Sequence, residues 1–285
     1  MKKNQIQKIK LTNSQENISM KKSTTLIPFI ALTTIIFLLS SCGWGQKKAA
    51  PTGKNIVCVV DFSDSKNASE RLQFYMNVIK DNIIPALGQY DKITVIPIDK
   101  TSITNSSDIL LKDLSKKEFV PDNASPLEEE QITVDNLNKY IDSLKTEFVA
   151  NFQAAISNRS MDNHGTDIFG ALSVVKTKFK DTKDNYLIML SDMMNWSNTL
   201  KMEYADGVLN NSTLENCLSK VPNYEMPNTT ALVLTAEQVE ASPEHFQLVN
   251  SFWSKYFEKN QIKLFDYNSA SVAKLSELMT LKVAE

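Results

Sequence analysis

One stretch decides the fold: residues 55–65 read Asn-Ile-Val-Cys-Val-Val-Asp-Phe-Ser-Asp-Ser. Residues 56–60 form a continuous apolar run rich in β-branched side chains, which is typical of a strand buried on both faces. The run ends at Asp61, where polar residues take over. Because a strand buried on both faces needs helices above and below it, this stretch predicts an α/β domain.

Similar apolar runs recur along the chain, separated by patterns typical of amphipathic helices. Strands are predicted at residues 56–60, 92–98, 186–190, 231–234 and 262–265, with a short edge strand near residues 109–111. Helices are predicted at residues 68–87, 137–152 and 168–179 and around residues 246–257. This alternation predicts one doubly wound, three-layer α/β/α domain with a mostly parallel central sheet over residues 55–285.

Composition and charge exclude several classes of protein. The 285 residues are 42% hydrophobic and 22% charged, which excludes a disordered chain. The formal net charge of −2 falls to −7 without residues 1–41, which hold six Lys and one Glu. An acidic domain without a basic stripe argues against nucleic acid as a partner and against membrane attachment by charge.

The N-terminal segment has the features of a secretion signal. Lys21 and Lys22 precede a largely apolar stretch over residues 26–39, which is too short for a comfortable transmembrane span. The stretch ends in Leu39-Ser40-Ser41-Cys42, which resembles the lipobox of bacterial lipoproteins. The resemblance implies cleavage before Cys42 and acylation of its thiol; an ordinary signal anchor with a chance Cys is the alternative.

This interpretation divides the chain into three parts. Residues 1–41 are an N-terminal extension and signal peptide, with Met20 as the suspected true start, and residues 42–54 are the lipidated Cys and a short tether. The globular domain follows at residues 55–285. We therefore expect a protein of the bacterial cell envelope, anchored by lipid, with the outer membrane or the cell surface favoured.

Two further cysteines remain in the domain. Cys58 lies inside the first apolar run, and Cys217 lies in a probable helix. We expect two buried core thiols in preference to a disulfide.

Polar residues follow two of the predicted strands and open one of the predicted helices. In a parallel α/β sheet, ligands bind at the carboxyl ends of the strands, where the strand order reverses. The polar segments are Asp61-Phe62-Ser63-Asp64-Ser65, His164-Gly165-Thr166-Asp167 and Ser191-Asp192.

These residues resemble the metal-ion-dependent adhesion site of the von Willebrand factor A family, whose pattern is Asp-x-Ser-x-Ser, then a Thr, then an Asp on three successive loops. Asp61, Ser63 and Ser65 match the first loop, Thr166 the second and Asp192 the third. The resemblance implies a bound Mg²⁺, or Mn²⁺ or Ca²⁺, and an acidic side chain from a protein partner that completes the metal's shell.

The chemistry of these residues is compatible with that resemblance, because hard divalent cations prefer oxygen ligands. The alternative is that Asp61 and Ser63, and likewise Thr166 and Asp167, only cap the helices that follow them. One departure concerns loop geometry: Met193 follows Asp192 where the family often has Gly.

Other functions and surfaces remain as alternatives. A phosphotransferase resembling the haloacid dehalogenases needs an Asp at the position of Ser63. The chain has only two His, so few residues could serve in acid–base catalysis. We therefore expect a binding protein and no enzyme. A metal-independent scaffold of an envelope complex is the main alternative. The excursion over residues 193–229, with Trp196, forms either a partner-selecting rim or a cover for the core.

Overall fold

The computed structural model describes residues 53–63, 68–100, 102, 108–114, 125–158, 165–179, 184–202, 209–236, 242–269 and 272–281. The predicted signal peptide, Cys42, most of the tether, Ser65 and His164 lie outside these residues. Residues 51–285 form one compact unit with its own hydrophobic core, as expected of a domain that folds independently.

A six-stranded sheet lies at the centre of this unit. Its strands are β1 (Asn55–Asp61), β2 (Lys92–Ile98), β3 (Leu110–Asp113), β4 (Asn185–Leu190), β5 (Thr229–Thr235) and β6 (Ile262–Ser269). The spatial order is β3-β2-β1-β4-β5-β6. All neighbours are parallel except β3, which pairs antiparallel with β2 at one edge.

The strand order reverses between β1 and β4. From β1 the chain builds outward through β2 and β3, and it then returns to add β4, β5 and β6 on the other side of β1. This is the doubly wound arrangement predicted from the sequence. Its switch point, where ligands bind in such folds, lies between the carboxyl ends of β1 and β4.

Helices cover both faces of the sheet. They are α1 (Ala68–Val78), α2 (Pro126–Ser157), α3 (Ile168–Lys178), α4 (Leu214–Lys220), α5 (Pro243–Lys259) and α6 (Val272–Thr280). Helices α1, α2 and α6 contribute to one hydrophobic cluster, and α3, α4 and α5 contribute to the other. Side chains of β1 alternate between the two clusters, so the domain has the three predicted layers.

The first predicted helix is not one regular helix. It continues past α1 as a π-helix at Ile79–Ile83 and a 3-10 turn at Ile84–Ala86. Pro85 lacks an N–H group and clashes with the carbonyl four residues earlier, which disfavours a regular α-helix here. Ile83 and Ile84, which lie where the two irregular turns meet, are both buried. Helix α6 was not predicted.

Cys58 and Cys217 are both buried, in different hydrophobic clusters on opposite faces of the sheet. The prediction of two core thiols is confirmed. The predicted edge strand is also present, as β3. Among the described residues, no helix combines the length and the apolarity that a membrane crossing requires.

Candidate functional site

The two predicted acidic ligands flank the switch point. Asp61 is the last residue of β1, and Asp192 comes two residues after β4. Ser191, between β4 and Asp192, donates from Oγ to Asp61 Oδ2 at 2.9 Å. The same Ser191 oxygen accepts from the Met193 N–H at 2.9 Å. This buried serine therefore ties the end of β1 to the loop after β4.

The first loop turns around Asp61, whose Oδ1 accepts from the Ser63 N–H at 2.7 Å. Arg71, from the first turns of α1, reaches back over this turn. One guanidinium nitrogen donates to the Ser63 carbonyl at 2.6 Å and lies 3.5 Å from Ser63 Oγ. The other lies 4.0 Å from Asp192 Oδ2, so Arg71 bridges the first and third loops.

The second loop is joined to the third by backbone. Thr166 and Trp196 form a bridge, with N–H to carbonyl distances of 3.0 and 2.8 Å in the two directions. The carboxylate of Asp167 caps α3 by accepting from the Gly170 N–H at 3.0 Å. The capping alternative is correct for Asp167.

Asn195 organises the third loop. Its side-chain oxygen accepts from the Ile168 N–H at 2.9 Å, and its amide nitrogen donates to Ser197 Oγ at 3.1 Å and to the Leu200 carbonyl. Its backbone carbonyl accepts from the Met202 N–H at 2.9 Å. The Asn195 side chain is buried, and it fixes the third loop to the first residue of α3.

Met193 adopts the backbone conformation that glycine favours. Its φ of 63° lies in the left-handed region, where an L-residue with a side chain is strained. The Met193 side chain is fully buried, and its carbonyl accepts from Trp253 Nε1 at 2.8 Å. The loop geometry therefore matches what a Gly after Asp192 would give, and core packing of Met193 offsets the strain.

The site holds uncompensated negative charge. Burial and the nearby Asp61 carboxylate raise the pKa of Asp192 to about 6, against the lowering effects of the Met194 N–H and Arg71. One guanidinium close to two carboxylates does not neutralise them. Such a site gains free energy from an additional cation.

Two tyrosine hydroxyls lie behind the acidic pair. Burial and the negative charges of Asp61 and Asp192 raise the pKa of Tyr75, and burial and Asp192 raise that of Tyr267. The Tyr267 hydroxyl and Arg71 Nε are buried without a hydrogen-bond partner. The carboxylates of Asp61 and Asp192 are therefore backed by polar groups that are themselves buried.

The oxygen donors fit a hard divalent cation. Among the described residues, the hydroxyls of Ser63 and Thr166 and the carboxylates of Asp61 and Asp192 occupy three adjoining loops at one edge of the sheet. No cluster of three or more His, Cys, Asp or Glu side chains placed to hold a metal occurs in the described part of the chain.

Sequence reasoning assigned no role to three residues that shape this site: Arg71, Ser191 and Asn195. Ser191 carries a signal, because it lies directly between a predicted strand and a predicted ligand. Arg71 and Asn195 carry none, because a charged residue in a helix and an Asn in a loop are ordinarily exposed. The residues of the proposed rim divide: Met193, Leu200 and Met202 are buried in the core, while Trp196 is half-buried under Lys201.

No family model matches the sequence, and no curated protein matches it. Solved structures resemble the chain at low identity. A von Willebrand factor type A protein from Catenulispora acidiphila has 13% identity and a TM-score of 0.40, with 80% of this chain and 41% of the other covered. Proximal thread matrix protein 1 from the mussel byssus has 12% identity and a TM-score of 0.36, with 81% and 47% covered.

The human COPII-coat protein Sec24c has 9% identity and a TM-score of 0.33, with 80% of this chain and 32% of the other covered. The chain thus spans less than half the length of each of these proteins. Likenesses at this level do not carry a function from one protein to another. The doubly wound α/β fold follows from the strand order of the chain itself.

Proposed function

We propose that the chain is a lipid-anchored envelope protein that binds a divalent cation and, through it, an acidic group on a protein partner. The ligands are Asp61, Ser63, Ser65, Thr166 and Asp192, in a domain similar to those of the von Willebrand factor A family. The cation is Mg²⁺, or Mn²⁺ or Ca²⁺. The assigned activity is binding and not catalysis.

One observation carries the proposal: Asp61 and Asp192 lie side by side at the switch point and leave negative charge uncompensated there. A purely structural pair of carboxylates is ordinarily neutralised by its partners. Here Ser191 and backbone N–H groups orient the carboxylates while the charge persists. This arrangement supports the proposal of a cation site.

The ligand chemistry explains why such a cation would recruit a partner. Hydroxyls from Ser63, Ser65 and Thr166 are neutral, so they do not cancel the charge of a divalent ion. Mg²⁺ favours six oxygen ligands and keeps waters that a carboxylate can replace. An acidic side chain from a partner would therefore complete the coordination shell and add a charge-assisted contact.

Calorimetric titration of residues 51–285 with Mg²⁺, Mn²⁺ and Ca²⁺ tests the cation site. We expect saturable binding of one ion per chain by the wild type and none by the double variant Asp61→Asn and Asp192→Asn. The matched control is Asp142→Asn, which removes an exposed carboxylate from α2 and should leave binding unchanged. Equal binding by the double variant, or none by the wild type, contradicts the proposal.

The lipid anchor rests on Leu39-Ser40-Ser41-Cys42, which lies outside the described residues. In cells, the wild-type protein should incorporate a labelled fatty acid and sediment with membranes. Cys42→Ser should abolish the labelling, and Cys58→Ser is the control that should retain it. Labelling that survives Cys42→Ser would contradict the anchor.

Arg71 favours a second candidate, a metal-independent scaffold in an envelope assembly. Its guanidinium already links Ser63 and Asp192, so the loops are connected without an ion. Capture of protein partners with and without chelator separates the two candidates. Capture lost on chelation supports the cation-dependent function, and capture unchanged by chelation supports the scaffold.

A further inference from the structure

The guanidinium of Arg71 lies beside two of the residues that would bind a cation in the candidate site. It contacts the carbonyl of Ser63 at 2.6 Å, lies 3.5 Å from Ser63 Oγ and is 4.0 Å from Asp192 Oδ2. Its side chain is only 11% exposed. A permanent positive charge therefore lies within reach of two of the five proposed ligands.

The contacts of Arg71 are not those of an optimised structural ion pair. Arg–carboxylate pairs that stabilise strongly are bidentate, with two parallel hydrogen bonds below 3 Å. Here the carboxylate contact is a single one at 4.0 Å, and the buried Nε has no hydrogen-bond partner. The guanidinium is thus held by hydrogen bonds to Ser63 and by the charge of the site, so it can leave without breaking a hydrogen bond to a carboxylate.

A divalent ion and this guanidinium repel each other. In a largely buried site a charge of +2 and a charge of +1 repel each other strongly, because the effective dielectric constant there is well below that of water. Side-chain rotation of Arg71 away from the site, toward water, would relieve this repulsion. Binding of the ion therefore opposes retention of the Arg71 contacts.

We infer that Arg71 is a tethered counter-cation that occupies the charge position of the site in the ion-free protein and competes with the divalent ion for it. This inference rests on the proposed cation site and adds its regulation. Arg71 holds the first and third loops together without an ion, and it lowers the affinity of the site for the ion. Arg71 is in this sense a positioning residue and not a ligand.

The test compares Arg71→Gln with the wild type in residues 51–285, by calorimetric titration with Mg²⁺ and by thermal unfolding with and without Mg²⁺. We expect Mg²⁺ to bind at least tenfold more tightly to the variant. We also expect the ion-free variant to melt at a lower temperature, and Mg²⁺ to raise its melting temperature more than it raises that of the wild type. A simple structural role of Arg71 would lower stability without tightening binding.

Two further variants complete the test. Arg71→Lys keeps the positive charge but lacks the second nitrogen that contacts Asp192, so its Mg²⁺ affinity should fall between those of the wild type and Arg71→Gln. It replaces Arg71→Gln in the test if that variant does not fold. The control is Lys80→Gln, which removes a positive charge from the turn that follows α1, where Lys80 pairs with Asp81 at 3.4 Å. Its Mg²⁺ affinity should equal that of the wild type.

The outcomes separate this inference from the function on which it rests. Equal or weaker Mg²⁺ binding by folded Arg71→Gln, with binding by the wild type, overturns the competition and leaves the cation site. Binding by Arg71→Gln alone supports the competition and overturns cation binding by the wild type. Binding by neither protein overturns both.

Discussion

The loop after β4 and the loop after β1 both supply proposed ligands, but different forces hold them. The loop after β4 is fixed by neutral hydrogen bonds that converge on Asn195 and by the Trp253 contact to Met193. The loop after β1 is linked across the site by groups that carry charge: the Asp61 carboxylate, which accepts from Ser191, and the Arg71 guanidinium. Neutral networks keep their geometry whatever ion is present, whereas a charged link responds to every change of charge nearby.

This comparison teaches where the site is rigid and where it is adjustable. Thr166 and Asp192 belong to the rigid half, because Thr166 pairs by backbone with Trp196 of the loop that carries Asp192, and Asn195 of that loop is bound to α3. Ser63 belongs to the adjustable half. An incoming ion would meet one half already organised and would reorganise the other.

The largest expected effect tests the rigid half. Asn195→Ala removes the partner of the Ile168 N–H and of the buried Leu200 carbonyl. Leaving two buried groups unsatisfied should cost about 3 to 5 kcal/mol in the free energy of unfolding. Urea unfolding measures the loss. The control Asn216→Ala, in an exposed position of α4, should change stability by less than about 0.5 kcal/mol.

A loss of less than about 1 kcal/mol in Asn195→Ala would show that the third loop does not depend on this network. The distinction between the two halves would then fail.

A smaller effect tests the strained backbone of the same half. Met193→Ala removes a buried side chain and keeps a Cβ at a φ of 63°, so it should cost about 3 kcal/mol. Met193→Gly removes the same side chain but relieves the strain, so it should be more stable than Met193→Ala by about 1 kcal/mol. Urea unfolding of the matched pair gives the difference. Equal stability would mean that the left-handed conformation carries no strain.

The smallest effect has the opposite sign and tests the negative charge of Asp192, at which the rigid half meets Arg71. A carboxyl group whose folded pKa is raised contributes stability fully below its unfolded pKa, and this contribution is lost as the pH rises through the folded pKa. For Asp192 the loss occurs between pH 3.8 and about 6. Asp192→Asn avoids it, so in chelator at pH 7.5 the variant should be more stable than the wild type by about 1 to 2 kcal/mol.

The gain should shrink as the pH falls toward 4, because the wild-type carboxyl group is then neutral as well. Urea unfolding across this pH range measures it, with the exposed Asp142→Asn as a control that should show no such trend. A destabilised Asp192→Asn at pH 7.5 would show that Arg71 already compensates the acidic pair. The site would then have no charge left for an ion.

Much of the fold was predictable, because strands buried on both faces occur in the sequence as continuous apolar runs. The run at residues 56–60 and its counterparts gave the parallel sheet, and the polar residues that end two of them gave the edge with the site. The predicted ligands Asp61, Ser63, Thr166 and Asp192 lie at that edge. Their binding of metal stays a prediction.

The features that were not predicted depend on tertiary packing, which leaves no local pattern in the sequence. The π-helix after α1 at Ile79–Ile83 interrupts the regular period, and the spacing of apolar residues does not distinguish such an interruption from a regular helix. The left-handed Met193 contradicts the preference for glycine because a core cavity takes its side chain. The placement of Arg71 depends on tertiary proximity of α1 to Asp192, and helical periodicity does not encode it.

The position of Asp61 on β1 also decides how the domain would respond to mechanical tension. Asn55 begins this strand and Asp61 ends it, so a pull between the N-terminal end of the domain and a partner held at the site runs along one strand of about 20 Å. The strand lies inside the sheet and is registered over seven residues with β2 and six with β4. Because both points of load lie on the same strand, the covalent backbone of β1 carries the tension and the hydrogen bonds of the two ladders are not pulled apart pair by pair, so the strand that carries the candidate site is the one best placed to bear force.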